Sequence, residues 1–350
     1  MRRWLVILLL LAAAPILAAE DPREASARRA HLYMTAQQGQ AMSEQEAAAA
    51  EARLAEHPDD LETRHKLLGY FKTHPGPDTV ERKGAQILWF IRNQPEDPIL
   101  ATAYADLVMP TDQETWDVAR VAWEEQIEAQ PKNARVMVNA AKMAMRKDRD
   151  MVTNLLLRAR ELEPDNPEWA RRLAGVYEFR TFYEGRLSDH KLAYGAWQDV
   201  YKLVGEEERL RMLPKIAMIA LNATAYDEAR GWADKAMASV EVLSPRNLHG
   251  EAVYAANNVY GRLALRAGDI EAAKKFLLAS AKTPGSIKLN NYGPNLRLAH
   301  LLALEGERET VIQFLNACAG FWKTGHDQID EWIGVLKDGD NPDFGGNLKI

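Results

Sequence analysis

Cysteine is nearly missing from this chain. Cys318 is the single one in 350 residues, so no intrachain disulfide can form. An excess of positive charge is also missing. Lys and Arg number 44 against 50 Asp and Glu, a formal charge of −6. That balance argues against nucleic acid as a partner, because a nucleic-acid surface is strongly basic. Catalytic signatures are absent as well. None of the eight histidines forms the His-Glu-x-x-His pattern of a helical zinc site. No Gly-rich phosphate loop follows a strand pattern, and there is no Gly-x-Ser-x-Gly elbow. The run Asp338–Asp343 lacks both the sixth-position glycine and the closing glutamate of a calcium loop. Cys318 stands where a small buried residue fits between helices, which suits packing better than nucleophilic chemistry. The chain therefore reads as a non-enzymatic protein with no cofactor and no metal.

The longest apolar run is at the start. Arg2 and Arg3 precede the apolar stretch Trp4–Ala14, and Pro15–Ala19 then ends in small residues. This is the layout of a secretory signal peptide over 1–19, and it is too short to span a bilayer. Cleavage near Ala19 would remove two cations and bring the charge to about −8. The expected location is the periplasm or the exterior of a bacterium. A disulfide-free exported chain needs a large core, and an array of helices supplies one.

Proline provides the next signal. Pro58, Pro95, Pro131 and Pro164 each close one helical pattern and open the next, at intervals of 37, 36 and 33 residues. A period near 34 is the mark of stacked helix-turn-helix units. Small residues recur where two such helices would cross: Ala119, Ala159, Ala174, Ala229, Gly261, Ala273 and Ala299. An alanine or glycine there lets the helix axes approach, while large neighbours fill the grooves.

These residues resemble the tetratricopeptide family. The clearest match is Pro164–Tyr177, where Leu173, Ala174 and Tyr177 take the large-small-large positions of a first helix. Tyr260, Gly261 and Ala264, followed by Gly268–Ala273, resemble a complete unit. The resemblance covers 58–323 and implies an all-α, right-handed solenoid of about seven units. The segment 20–57 would be an N-terminal helical cap. Residues 324–350 would be a capping helix, with Ile329, Trp332, Ile333 and Leu336 on one face, and an irregular tail. The turn Asn290–Asn295, Phe321-Trp322 and Pro342–Asn347 are similar to the ends of uncharacterised bacterial repeat proteins.

The resemblance also implies where binding would occur. First helices line the concave face, and positions four apart meet the ligand. Those positions here are Lys142, Arg146, Arg171, Asn258, Arg262, Arg266 and His300, with His65 and Lys72 further upstream. Asn258, Arg262 and Arg266 share one stripe of one helix. Planar arginine forks suit carboxylates, and amides suit peptide backbone. The implied partner is an acidic segment or chain carboxyl-terminus of an envelope or secreted protein. Gly175 stands where the two-carboxylate clamp of some chaperone-binding relatives wants asparagine, so that mode is not expected. The aromatic group Tyr177, Phe179, Phe182 and Tyr183 could instead wall a pocket, which leaves a small-solute receptor as the alternative. Each of these side chains could equally be a solvated or packing residue.

Overall fold

The computed structural model describes residues 22–108, 111–183, 185–240 and 246–349; the leader expected over 1–19 lies outside them. Among the described residues there are helices and no strand. The chain divides into two compact units, Met1–Val152 and Thr153–Ile350, with the boundary inside one helix.

The first unit contains α1 Pro22–Gly39, α2 Glu44–Glu56, α3 Leu61–Thr73 and α4 Pro77–Asn93. Then come α5 Gln113–Ala129, α6 Ala134–Ala144 and the start of α7, Arg149–Leu162. Helix α1 lies against α3, with α2 and α4 packed on α3 as well. The α1–α3 crossing is closed by glycine. A Cβ on Gly69 would stand 1.8 Å from the Ala36 carbonyl oxygen, and one on Gly39 would stand 1.8 Å from that of Lys66.

The four prolines organise their turns identically. The preceding helices end at Glu56, Asn93, Ala129 and Leu162, each two residues before its proline. The next helical segments begin at Leu61, Pro98, Ala134 and Pro167, each three residues after it. An Asx residue fills the gap every time: Asp60, Asp97, Asn133 and Asn166. Each side chain accepts a hydrogen bond from a backbone N–H in the first turn of the segment that follows. Each Asx peptide N–H donates to the carbonyl three residues back, at 2.9 to 3.2 Å. The repeated element is thus Pro-x-Asx. The proline stops one helix and the Asx oxygen starts the next.

One expected first helix does not form. After Pro95 the chain makes two short 3₁₀ turns, Pro98–Ala101 and Ala103–Ala105. Thr102, in extended conformation, divides them. Its hydroxyl donates to the Ile99 carbonyl and accepts from the Tyr104 N–H, so it caps both turns and blocks a continuous helix. Asn139 on α6 seals this region by donating to the carbonyls of Pro95 and Asp97.

The second unit contains α8 Pro167–Tyr183, α9 Leu187–Leu203, α10 Glu206–Asn222 and α11 Tyr226–Ser239. It continues with α12 Arg246–Arg266, α13 Ile270–Ser280, the short α14 Ile287–Tyr292 and α15 Arg297–Leu304. Helices α16 Arg308–Cys318 and α17 His326–Lys337 complete it. Sequence neighbours pack in pairs: α8 with α9, α10 with α11, α12 with α13 and α15 with α16. Within this unit, such pairing of adjacent helices is that of a helical repeat stack. The turns inside three pairs share one geometry. Thr224, Gly268 and Gly306 all have positive φ. The next N–H in each bonds back over the turn: Ala225 to Ala220, Asp269 to Ala264 and Glu307 to Leu302. This is a left-handed C-terminal cap, reached twice with glycine and once with threonine.

Ile329, Trp332, Ile333 and Leu336 of α17 are all buried. They join Phe314, Cys318, Trp322 and Phe344 in one apolar cluster. The tail is anchored rather than loose. Leu296 N–H donates to the Asn347 carbonyl at 2.7 Å, and Asn347 Nδ2 donates to the carbonyls of Tyr292 and Pro294. No described helix is long and apolar enough to cross a membrane.

Candidate binding cavity

Within the second unit, α8, α9, α10, α12 and α14 enclose a cavity of about 730 Å³. Helix α10 supplies the longest wall. Glu208, Arg211, Met212, Lys215, Met218, Ile219 and Asn222 face it at spacings of mostly three and four, which is one stripe of a helix. Pro214 lies inside the same helix and also lines the cavity. Having no N–H, it leaves the Leu210 carbonyl without its helical donor.

Trp197 of α9 and Glu178 of α8 meet this stripe. Trp197 of α9 is buried and donates its indole N–H to Glu178 of α8 at 3.0 Å. Lys215 completes this group, with Nζ 2.7 Å from the same carboxylate and 3.7 Å above the Trp197 ring. Arg171 pairs with Glu208 at 2.7 Å, and Arg211 with Glu207 at 2.5 Å. Tyr254 of α12 donates its hydroxyl to the Asn295 carbonyl, and burial pushes its phenol well above the ordinary range. Glu251 accepts from Ser286. At the edge, Lys288 of α14 is exposed, and Lys349 of the tail lies 5.4 Å over the Phe182 ring. The lining carries five Lys or Arg side chains and three carboxylates, a positive surplus in an acidic chain.

The aromatic segment after Tyr177 extends α8 by more than a turn, then reverses at Gly185, φ 63°. Phe182 and His190 from this segment line the cavity, whereas Phe179 and Tyr183 are exposed outside its lining. Burial pushes the His190 imidazole below its ordinary value. Arg262 and Arg297 push it the same way and Asp189 opposes them.

The residues expected to face a partner are dispersed. Arg171 lines the cavity. Lys142 forms an ion pair with Asp106 in the first unit, and Arg146 is exposed in the turn after α6. The stripe Asn258, Arg262 and Arg266 does not present an open row. Asn258 is fully buried and donates to the Tyr254 carbonyl of its own helix at 3.2 Å. Arg262 is partly buried and donates to Asn222 Oδ1 at 2.9 Å. Arg266 is exposed, with its guanidinium 4.0 Å over the Tyr226 ring. The physical reason is coverage: α10 and α11 both pack on α12. His300 is covered in turn by the tail, edge-on to Phe344 at 6.1 Å. Upstream, His65 is buried between Asp97 and Phe90.

Trp197, Lys215, Met218 and Lys288 were not among the expected residues. The signal that marks α10 is its charged and methionine stripe at helical spacing around an internal proline. Among the described residues, no three His, Cys, Asp or Glu side chains converge as a metal site. Cys318 is buried, and burial pushes its thiol well above the usual range.

The arrangement defines an all-helical unit with a walled cavity and paired charges at its mouth. No protein-family model matches the chain, and no curated protein matches it either.

Proposed function

We propose that this protein is an exported, non-enzymatic binding protein of tetratricopeptide-like architecture. Its second unit would hold an acidic segment of an envelope or secreted protein in the cavity bounded by α8, α10 and α12. The observation that carries the reading is the cavity lining, cationic on balance in a chain of net charge −6. Such a surface concentrates an acidic ligand and selects against basic ones. Methionines 212 and 218 offer adaptable apolar contact, and Trp197 offers a rigid face. Affinity would come from several moderate contacts, so single substitutions weaken binding rather than abolish it.

The test is binding of the full chain to an array of acidic and basic peptides, with Lys215→Glu/Lys288→Glu as the comparison. Retention of acidic peptides, lost in the double variant, supports the reading. Equal retention by both proteins overturns it.

A second reading rests on the cavity volume, which lies within the range of small-molecule sites. A receptor for a small solute would show thermal stabilisation by one member of a metabolite panel, with no peptide retained.

A further inference from the structure

A group of aromatic rings stands exposed at the end of α8, beside the cavity. Phe179, Phe182 and Tyr183 occupy positions i, i+3 and i+4, so they share one face of the last turn. The ring centroids of Phe179 and Tyr183 lie 4.5 Å apart, and those of Phe182 and Tyr183 lie 5.2 Å apart. Packing does not account for the group. Phe179 is 52% exposed, Phe182 38% and Tyr183 60%, whereas Trp169 and Tyr177 on the same helix are buried. All other phenylalanines of the chain are buried or half-buried. Clustered rings are costly to leave in water, and a surface that keeps them exposed marks a place where a partner covers them.

Two relationships indicate what that partner is. First, the rings continue the cavity. Phe182 lines it while Phe179 and Tyr183 lie outside its lining, so the aromatic face runs from the edge of the cavity onto the open surface. A flat partner, such as a bilayer or a second copy of this chain, covers the outer rings but cannot follow them inward; an extended segment does both. Second, a cation borders the rings. Lys349 Nζ lies 5.4 Å over the Phe182 ring. Its place is set by the tail: Lys349 N–H donates to the Gly346 carbonyl, and Asn347 is tied to Tyr292, Pro294 and Leu296. Among the described residues no carboxylate pairs with Lys349, whereas Arg171 and Lys215 in the same lining are neutralised by Glu208 and Glu178. Uncommitted positive charge thus stands beside the aromatic face.

We infer that Phe179, Phe182, Tyr183 and Lys349 form a docking surface for a peptide segment that carries a large apolar residue next to an acidic one. The inference rests on the cavity being the binding site for an acidic segment. It adds a specificity. The acidic side chain meets Lys349 at the edge of the cavity, and the neighbouring leucine or aromatic side chain of the ligand lies on Phe179 and Tyr183. Charge alone accepts any acidic segment; the rings select those with an apolar neighbour.

The experiment measures the fluorescence anisotropy of two labelled peptides with the full chain. One is a short peptide of Glu, Asp and Ser; the other has its central serines replaced by Leu and Phe. Phe179→Ala/Tyr183→Ala and Lys349→Ala are the comparisons, and alanine at 179 and 183 keeps α8 helical. The parent is expected to bind the apolar-bearing peptide about tenfold more tightly than the purely acidic one, the effect of one or two aromatic anchors. Phe179→Ala/Tyr183→Ala should lose that preference and keep its affinity for the purely acidic peptide. Lys349→Ala should weaken both. Equal binding of the two peptides by the parent overturns the inference and leaves the cavity reading standing; binding of neither overturns both. A preference that survives the double variant, or binding unchanged in Lys349→Ala, also overturns the inference. So does a parent that sediments as a dimer, with Phe179→Ala/Tyr183→Ala monomeric and peptide binding unchanged, because a second copy then covers the rings.

Discussion

The backbone of Gly69 touches the backbone of Ala36: a Cβ on Gly69 would lie 1.8 Å from the Ala36 carbonyl oxygen. Backbone atoms cannot rotate aside as a side chain would, so the helices must separate to admit even a methyl group. Gly69→Ala should therefore destabilise the first unit by about 3 kcal/mol, at the upper end of overpacking costs. Urea unfolding followed by circular dichroism measures this. Gly175→Ala is the control, since nothing lies within 4 Å of its added Cβ.

Thr224 adopts φ 62°, at a cap where Gly268 and Gly306 take the same role. Its side chain is exposed, so little packing is lost on removing it. The left-handed conformation costs a side-chain-bearing residue roughly 1–2 kcal/mol, offset in part by the greater unfolded-state entropy of glycine. Thr224→Gly should stabilise the second unit by about 0.5 kcal/mol, read as a higher midpoint of thermal unfolding. No gain, or a loss, would mean that the threonine hydroxyl holds the turn.

The carboxyl of Asp60 is held down to about 2, first by Arg53 at 2.7 Å and then by the Thr63 N–H. Since its ordinary value is 3.8, the stabilisation is complete above that pH and is lost as pH falls toward 2. Arg53 is largely exposed, which limits the effect to about 1 kcal/mol. Asp60→Asn keeps an oxygen for the helix cap and loses the ion pair. It should be less stable than the parent by about that amount at pH 7, with the gap closing by pH 2 in acid titrations. A gap that persists at pH 2 would assign the effect to the cap instead.

Helix ends were legible in the sequence because proline acts locally. It ends a helix through its own missing N–H, whatever packs nearby, and Pro58, Pro95, Pro131 and Pro164 all do so. The Asx two residues beyond each is equally local and would have fixed the starts. The apolar face of α17 was legible for the same reason, through spacings of three and four. Two features depended on distant contacts and were not. Thr102 breaks an expected helix by hydrogen bonding to both sides of itself. Asn258 shares a helical stripe with Arg266, yet Asn258 is fully buried and Arg266 is exposed. Spacing along one helix gives the stripe; only neighbouring helices decide whether it meets solvent. The cavity itself is built from five helices; of the residues expected to face a partner only Arg171 lines it, and of the aromatic group expected to wall a pocket only Phe182 does.

The central claim is that the cavity of the second unit takes an acidic ligand, and peptide-array binding of the full chain tests it most directly. The account predicts that acidic peptides are retained and basic ones are not. Retention should fall at least tenfold in Lys215→Glu/Lys288→Glu, with the helical circular dichroism unchanged. Equal retention by the parent and the charge-reversed variant would contradict it.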